Sequence, residues 1–462
     1  MRESEGIRPR RAAGRAVALA CVLAILPRGA TAQDSPYGAN LGHPGDDLPP
    51  GRRGTPNIEV VSHLPLGGFL HVADIEIEQE LARPYVYVSK RFDPTGVDIL
   101  DLSNPRRPRV LLRWRIEDSA LHQGSGALDG KAFRVGDRYY YVQSFQFASG
   151  GPDRDLGAIV FDVTGLPDAS KVREVGRIRE PDTPGGFHNI FVYRHSDGRT
   201  LLFTTVGASH ANVYDLGRFV RSESEALAAT IPLPDVGEGP GRYHDFFVGY
   251  EPESGQDRFY GGGTGGYFVY DVTDLEAPEM LASITGVSGV RWGHTITPTP
   301  DGRYVVTEAE YQYAPLRIFD LAPALAGDVP TITQPVGAWT ADWRNLSHNH
   351  EVRWPYVFVS AYEDGLQVFS LFDPTNPTTV GYYDTYEGPH MARGEGNVNM
   401  GAWGVDVRNA DGLIVVSDMA TGFWAFRMEG FQGWNGNAWG MPNISSEQDW
   451  VRGPVEQAGA IE

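Results

Sequence analysis

Apolar residues along the chain fall into short continuous or alternating runs, with few at the spacing of an amphipathic helix. Runs such as Tyr85 to Ser89, Tyr139 to Gln143, Leu201 to Thr205, Tyr304 to Thr307, Tyr356 to Ser360 and Leu413 to Ser417 are rich in aromatic and β-branched residues. Gly, Pro, Asn and Asp bound them, which predicts strands separated by turns. Each run is followed by a second one that closes on an apolar residue plus Asp: Leu100 and Asp101, Phe161 and Asp162, Tyr214 and Asp215, Tyr270 and Asp271, Phe319 and Asp320. Phe369 with Ser370 and Phe426 with Arg427 are the two departures. The five Asp residues stand where a carboxylate caps the amides of the following turn. Seven copies of the unit can be aligned, and a further strand such as Val110 to Trp114 or Thr379 to Tyr383 follows the turn in most of them.

A unit of four short strands without a helix cannot bury both of its faces alone, so the units must pack around an axis. The expectation is an all-β, seven-bladed β-propeller over residues 57–430. The seventh unit lacks an outer strand, while an orphan strand, Asn57 to Leu66, precedes the first. Pairing the two closes the ring and removes the free edges.

Strings such as Ile159, Val160, Phe161, Asp162, Val163 and Val357, Phe358, Val359, Ser360 resemble the bacterial LVIVD-repeat family of exported β-propellers. That resemblance implies fold and export and says little about reaction. Residues 1–32 support export independently: Arg8, Arg10, Arg11 and Arg15 precede the apolar run Ala16 to Leu26, and Ala30, Thr31, Ala32 offer a cleavage site, the layout of a secretory signal peptide. Residues 33–56 read as a flexible leader and residues 431–462 as a tail. A periplasmic or secreted location follows. The one cysteine, Cys21, lies inside the signal, so the exported chain would have no disulfide.

Composition narrows the partners. With 39 Lys and Arg against 59 Asp and Glu, the formal net charge of −20 opposes binding to nucleic acid. No later segment approaches the apolar length of a membrane span. A small-molecule substrate is the expected partner, and the oligomeric state is open.

The candidate chemistry lies in histidines that return with the repeat. His71, His122, His188, His244, His294 and His350 stand near the start of successive inner strands, with Trp403 in the seventh unit. In a propeller these positions surround one mouth of the central channel. Converging neutral imidazoles suit a transition metal, with Fe or Cu favoured and Zn or Mn admissible. Ile190, Phe246, Ile296, Val352 and Val405, two residues further along, would then continue an apolar channel. His348, Glu351, Arg242, Arg291, Trp403 and His390 are candidates to support the ligands or hold substrate. Glu308 and Glu310 could orient an imidazole, and Arg393 could join the arginines against an anion. The segment from Tyr383 to Met400 is long enough to form a lid. The same histidines could instead tie blade junctions to backbone, or form a metal-free binding mouth.

At the level of architecture alone, carotenoid cleavage dioxygenases and the selenium-binding, methanethiol oxidase family are seven-bladed propellers with axial metals held by His from several blades. None of their sequence motifs occurs here, so none of their residues carries over. The reading is a metal-dependent oxidation or cleavage of a small, largely apolar molecule. A non-catalytic propeller binding a protein or surface polymer through its rim loops, and a metal-dependent hydrolase or lyase, are the alternatives.

Overall fold

The computed structural model describes residues 53–459 apart from 69, 93, 223–225, 237–238, 387–398 and 436–447. The signal, Cys21, most of the leader, His390, Arg393 and the centre of the expected lid lie outside the described residues.

Seven antiparallel sheets form the ring. Blade 1 runs outward through Val72–Ile77, Tyr85–Lys90, Gly96–Asp101 and Arg109–Arg115, and blades 2 to 6 repeat this order. Blade 4 gains a fifth, parallel strand, Thr331–Ile332. Blade 7 consists of Ala402–Arg408, Leu413–Asp418 and Gly422–Met428, completed by Ile58–Leu64 from the N-terminal side.

Burial follows from this geometry. A blade in a ring is covered on both faces, so its inner three strands have no solvent side. In blade 1 those three strands are buried at every position, whereas the outer strand Arg109–Arg115 is half exposed. The continuous apolar runs, such as Val357, Phe358 and Val359, are therefore strands covered on both faces.

The repeated aspartates cap turns. The carboxylates of Asp101, Asp162, Asp271 and Asp320 accept the backbone N–H two residues on, and Asp215 accepts that of Arg218. Ser370, one of the two departures, accepts from the N–H of Phe372 in the same way. Residue type changes there while the local hydrogen bond survives.

Ring closure rests on packing as well as on pairing. Ile58 is 6% exposed and joins a cluster that includes Phe358 and Val368 of blade 6 and Val416 and Phe426 of blade 7. It lies so close to Gly381 that a Cβ there would come within 2.9 Å of its Cδ1. The tail is partly structured: the Gln448 side chain donates to the Val192 carbonyl and accepts from the Arg194 N–H. This ties residues 448–459 to blade 3.

Substituting Ile58→Ala removes this contact between first and last strands. Urea denaturation should show a loss of about 2–5 kcal/mol. A loss below about 1 kcal/mol would mean that the closing strand is not an integral part of the cooperative fold.

Candidate functional site

Inner-strand geometry sets the site. Seven equivalent positions ring the channel mouth: Ala73, Leu128, His188, His244, His294, His348 and Trp403. Ring centroids are 4.4 Å apart for His188 and His244, 4.1 Å for His244 and His294, 5.0 Å for His294 and His348, and 4.3 Å for His348 and Trp403. Ala73 and Leu128 share an apolar cluster with Trp403 and complete the circle on the side of blades 1 and 2.

Four imidazoles from blades 3 to 6 therefore stand side by side, and the six expected from the repeat do not converge. His122 is held outside the channel, with Nδ1 2.9 Å from the Asp118 carbonyl and Nε2 2.8 Å from an Asp153 carboxylate oxygen. Six residues separate it from Leu128, the true ring position of blade 2. His71 precedes its inner strand and packs against Gly68. His350 is buried two residues deeper than the ring, and His348 occupies the ring position of blade 6. The irregular insertions before the inner strands, invisible to a simple count of blade period, caused the misalignment.

Local bonds fix two of the four tautomers. Nδ1 of His348 donates to the Trp403 carbonyl at 2.7 Å, and Nδ1 of His188 donates to the Gln146 amide oxygen at 3.2 Å. Both therefore carry their lone pair on Nε2. Burial disfavours the imidazolium throughout: it lowers His188 to about 4 and His348 to about 3, and holds His244 and His294 well below the usual histidine range, reinforced by their neighbours' charges. All four are neutral, as metal ligation requires.

Two carboxylates flank His294. Glu308 ends the strand Tyr304–Glu308 and Glu310 follows in the loop, with a Glu308 oxygen 2.7 Å from Nδ1 and a Glu310 oxygen 3.6 Å from Nε2. Tyr362 donates to the other oxygen of Glu310. Its aim is set by paired backbone bonds to Ala402 of blade 7, which hold it at φ 42°, a conformation rare for a bulky side chain. Ligand atoms of His244, His294 and Glu310 lie within 4.8 Å of one another. Bonds of about 2.1 Å at tetrahedral angles need ligand separations of about 3.4 Å. Contractions of that size are within reach of small side-chain rotations.

Nδ1 of His244, Nε2 of His294 and Oε1 of Glu308 have no hydrogen bond, and the polar neighbour of His294 Nδ1 is the Glu308 oxygen at 2.7 Å. Each buried orphan costs about 1–3 kcal/mol. Neutral imidazole nitrogens without partners beside carboxylates are the donor types that a cation-binding centre uses. Outside the cluster a cleft of about 280 Å³ is lined by His188, His244, Glu310, Arg242, Trp292 and Gln146, among others.

Below the histidines the channel is polar, which corrects the expected apolar passage. Ile190, Phe246 and Val405 do line a cavity of about 70 Å³ and Ile296 and Val352 do not, but the lining also includes Asp74, Glu76, Asp129, Lys131, Asp245, Glu351 and Asp406. Lys131 Nζ lies 2.8 Å from Asp129 and 3.8 Å from both Asp74 and Glu76. Carboxylates also stitch blades together. Asp129 accepts from the Ile190 N–H, Asp406 from that of Ile77, and Glu76 from that of Ala132. Glu351 thus belongs to the channel, 2.7 Å from Arg353, and does not support a ring histidine. Arg291 is exposed. Arg91, Trp292 and Tyr362 were missed, because loops with no periodic signal deliver them.

No family model matches the chain, so the LVIVD-repeat resemblance rests on the strand strings alone. No curated protein matches either. Among 1113 matching solved chains is the crystal structure of Chaetomium thermophilum Raptor, with TM-score 0.54 and 12% identity over 81% of this chain. The chain spans 30% of that protein's length. The likeness shows the propeller fold and nothing of function.

Burial raises Glu351 to about 7, against the offset from Arg353. Its contribution to stability is therefore complete below about pH 4.5 and is lost as pH rises through about 7. Glu351→Gln, which mimics the neutral acid, should match the parent near pH 4.5 and exceed it by about 1–3 kcal/mol at pH 8. Urea midpoints at the two pH values check this, and a pH-independent difference would contradict it.

Proposed function

We propose that the chain is an exported β-propeller that binds a transition metal ion at the axial mouth and uses it to oxidise or cleave a small molecule. The observation that carries this reading is the set of neutral, hydrogen-bond-deficient imidazoles of His244 and His294 gathered with the Glu310 carboxylate. Two imidazoles and one carboxylate suit Fe(II) or Zn(II), which narrows the range admitted from the sequence. Bound there, such an ion would supply Lewis acidity and, if iron, access to dioxygen chemistry.

The protein's own part is positional. Tyr362 orients Glu310, and Glu308 stands against Nδ1 of His294, leaving Nε2 toward Glu310. The neighbouring Nε2 lone pairs of His188 and His348 are additional donors. The cleft gives a small molecule access to one side of the cluster, and the apolar wall of Ala73, Leu128 and Trp403 closes the other. If the ion is zinc, the same arrangement would serve hydrolysis or lyase chemistry through an activated water, and turnover would need no dioxygen.

A binding role has its own support. Tyr311, Tyr313 and Trp343 are exposed on the rim beside the Glu310 loop, and Tyr313 and Trp343 lie 5.0 Å apart. An exposed aromatic group of this kind favours a partner surface.

Metal content separates the readings. Untagged protein should retain close to one equivalent of iron or zinc by elemental analysis. His244→Ala and Glu310→Gln should abolish retention, His122→Ala should preserve it, and Tyr362→Phe should weaken affinity about 10–100-fold. Metal-free protein that takes up no ion on reconstitution, or equal retention in His244→Ala, would leave only the binding role.

A further inference from the structure

Directly beneath the ring at the mouth lies a second one, made of the residues that follow it in sequence. Asp74, Asp129, Asn189, Asp245, Thr295 and Asn349 succeed Ala73, Leu128, His188, His244, His294 and His348, and all six line the cavity of about 70 Å³. Consecutive strand residues normally point to opposite faces. Here both levels face the channel, because the pairing register slips at this point in blades 1, 2, 4 and 7, which re-aims a side chain. In blades 3, 5 and 6 the upper residue stands before its strand begins. The seventh position is Gly404, where a Cβ would come within 2.2 Å of Asp74 Oδ1. The upper ring offers imidazole nitrogen, and the lower one offers oxygen.

Charge is shared unevenly around this lower ring. Lys131 belongs to the side of blades 1 and 2, 2.8 Å from Asp129 and 3.8 Å from Asp74 and Glu76, and Arg353 pairs with Glu351 and Asp406. Asp245 is left over. One of its oxygens accepts the N–H of Phe246, and although the charge of Lys131 acts on it, it forms no ion pair among the described residues. Beside it, Asn349 Oδ1 and the ring nitrogens of His350 complete no hydrogen bond, and His350, which also lines the cavity, is only 5% exposed. An unpaired carboxylate and unmet polar atoms thus share the side of blades 3 to 6. Water alone would offer them hydrogen bonds and leave the charge uncompensated. The cavity has room for about four occupants of water size.

We infer that Asn189, Asp245, Thr295 and Asn349 hold a calcium ion on the side of the cavity away from Lys131, with waters completing its shell. Calcium takes about six to eight oxygens and mixes carboxylate, amide carbonyl and water. The ion ties blades 3 to 6 together beneath the four imidazoles, and a water on it supplies the partner that His350 lacks. The inference stands without the transition-metal reading, since none of its donors belongs to that centre. One carboxylate among neutral oxygens makes a weak site, with a Kd of about 0.1–1 mM.

The test titrates calcium by calorimetry into the full chain freed of metal. One site of that affinity should appear. Asp245→Asn should weaken it about tenfold or more, and Asn349→Asp, which adds a second carboxylate, should tighten it about tenfold. Asp137→Asn, at a carboxylate fully exposed on the surface, should leave it unchanged. No calcium uptake by the parent chain, or affinity unchanged in both Asp245→Asn and Asn349→Asp, would overturn the assignment. Where a variant does not fold, anomalous diffraction from crystals of the calcium-loaded parent chain decides: a peak between Asp245 and Asn349 is the expected result, and a peak only elsewhere, or none, rejects the site.

Discussion

Closing seven sheets into a ring forces seven inner strands to share one narrow axis, and the rest of the structure follows from that crowding. Side chains at equivalent positions cannot avoid one another, so residues far apart in sequence become neighbours. His188 and His348 are 160 positions apart and belong to the same arc of four rings. The crowding also strips water from whatever the strands present. Imidazoles become weak bases, carboxyls hold their protons to higher pH, and charges survive only where a partner such as Lys131 or a backbone amide is built in. Clustering, dehydration and fixed orientation are the ingredients of a reactive centre, and the fold supplies them before any specific chemistry is chosen.

The channel resolves this crowding differently at its two levels. In the deeper level opposite charges meet, with Lys131 among Asp74, Glu76 and Asp129 and with Arg353 beside Glu351 and Asp406. Most of those carboxylates also receive backbone N–H groups from the next blade, so the polar core acts as mortar between blades. At the mouth the pattern reverses. Four imidazoles crowd beside the carboxyls of Glu308 and Glu310, and only some of their polar atoms complete hydrogen bonds. The deeper level is mostly paired, with Asn349 Oδ1 and the ring nitrogens of His350 as its orphaned atoms. Function is assigned to the mouth because His244, His294 and Glu310 bring three ligand atoms within 4.8 Å of one another there.

The architecture was legible because blades are two-sided. Continuous apolar strands such as Ile159 to Val163, each followed by a capped turn, repeat often enough to be counted, and the unpaired strand before the first unit marks the closure. The site was legible only in part. The repeat of histidines pointed to the right mouth, and His188, His244 and His294 occupy it. His122 and His71 carried the same period while belonging to turns, since the loops before inner strands vary in length and period alone cannot separate strand from turn. The polar lower channel escaped notice because its carboxylates alternate with apolar residues that dominate the pattern, as in Ala73, Asp74, Ile75, Glu76. Tyr362 and Arg91 reach the cluster through cross-blade contacts that no local signal reports.

The central claim is that imidazoles of different blades act together on one ion. X-ray absorption at the metal edge of the zinc- or iron-loaded protein reads the donor set directly. The account predicts a spectrum with the outer-shell scattering of at least two imidazoles and with oxygen completing the coordination. A spectrum fitted by oxygen donors alone would show that the ion sits elsewhere, and that the cluster serves only to join the blades.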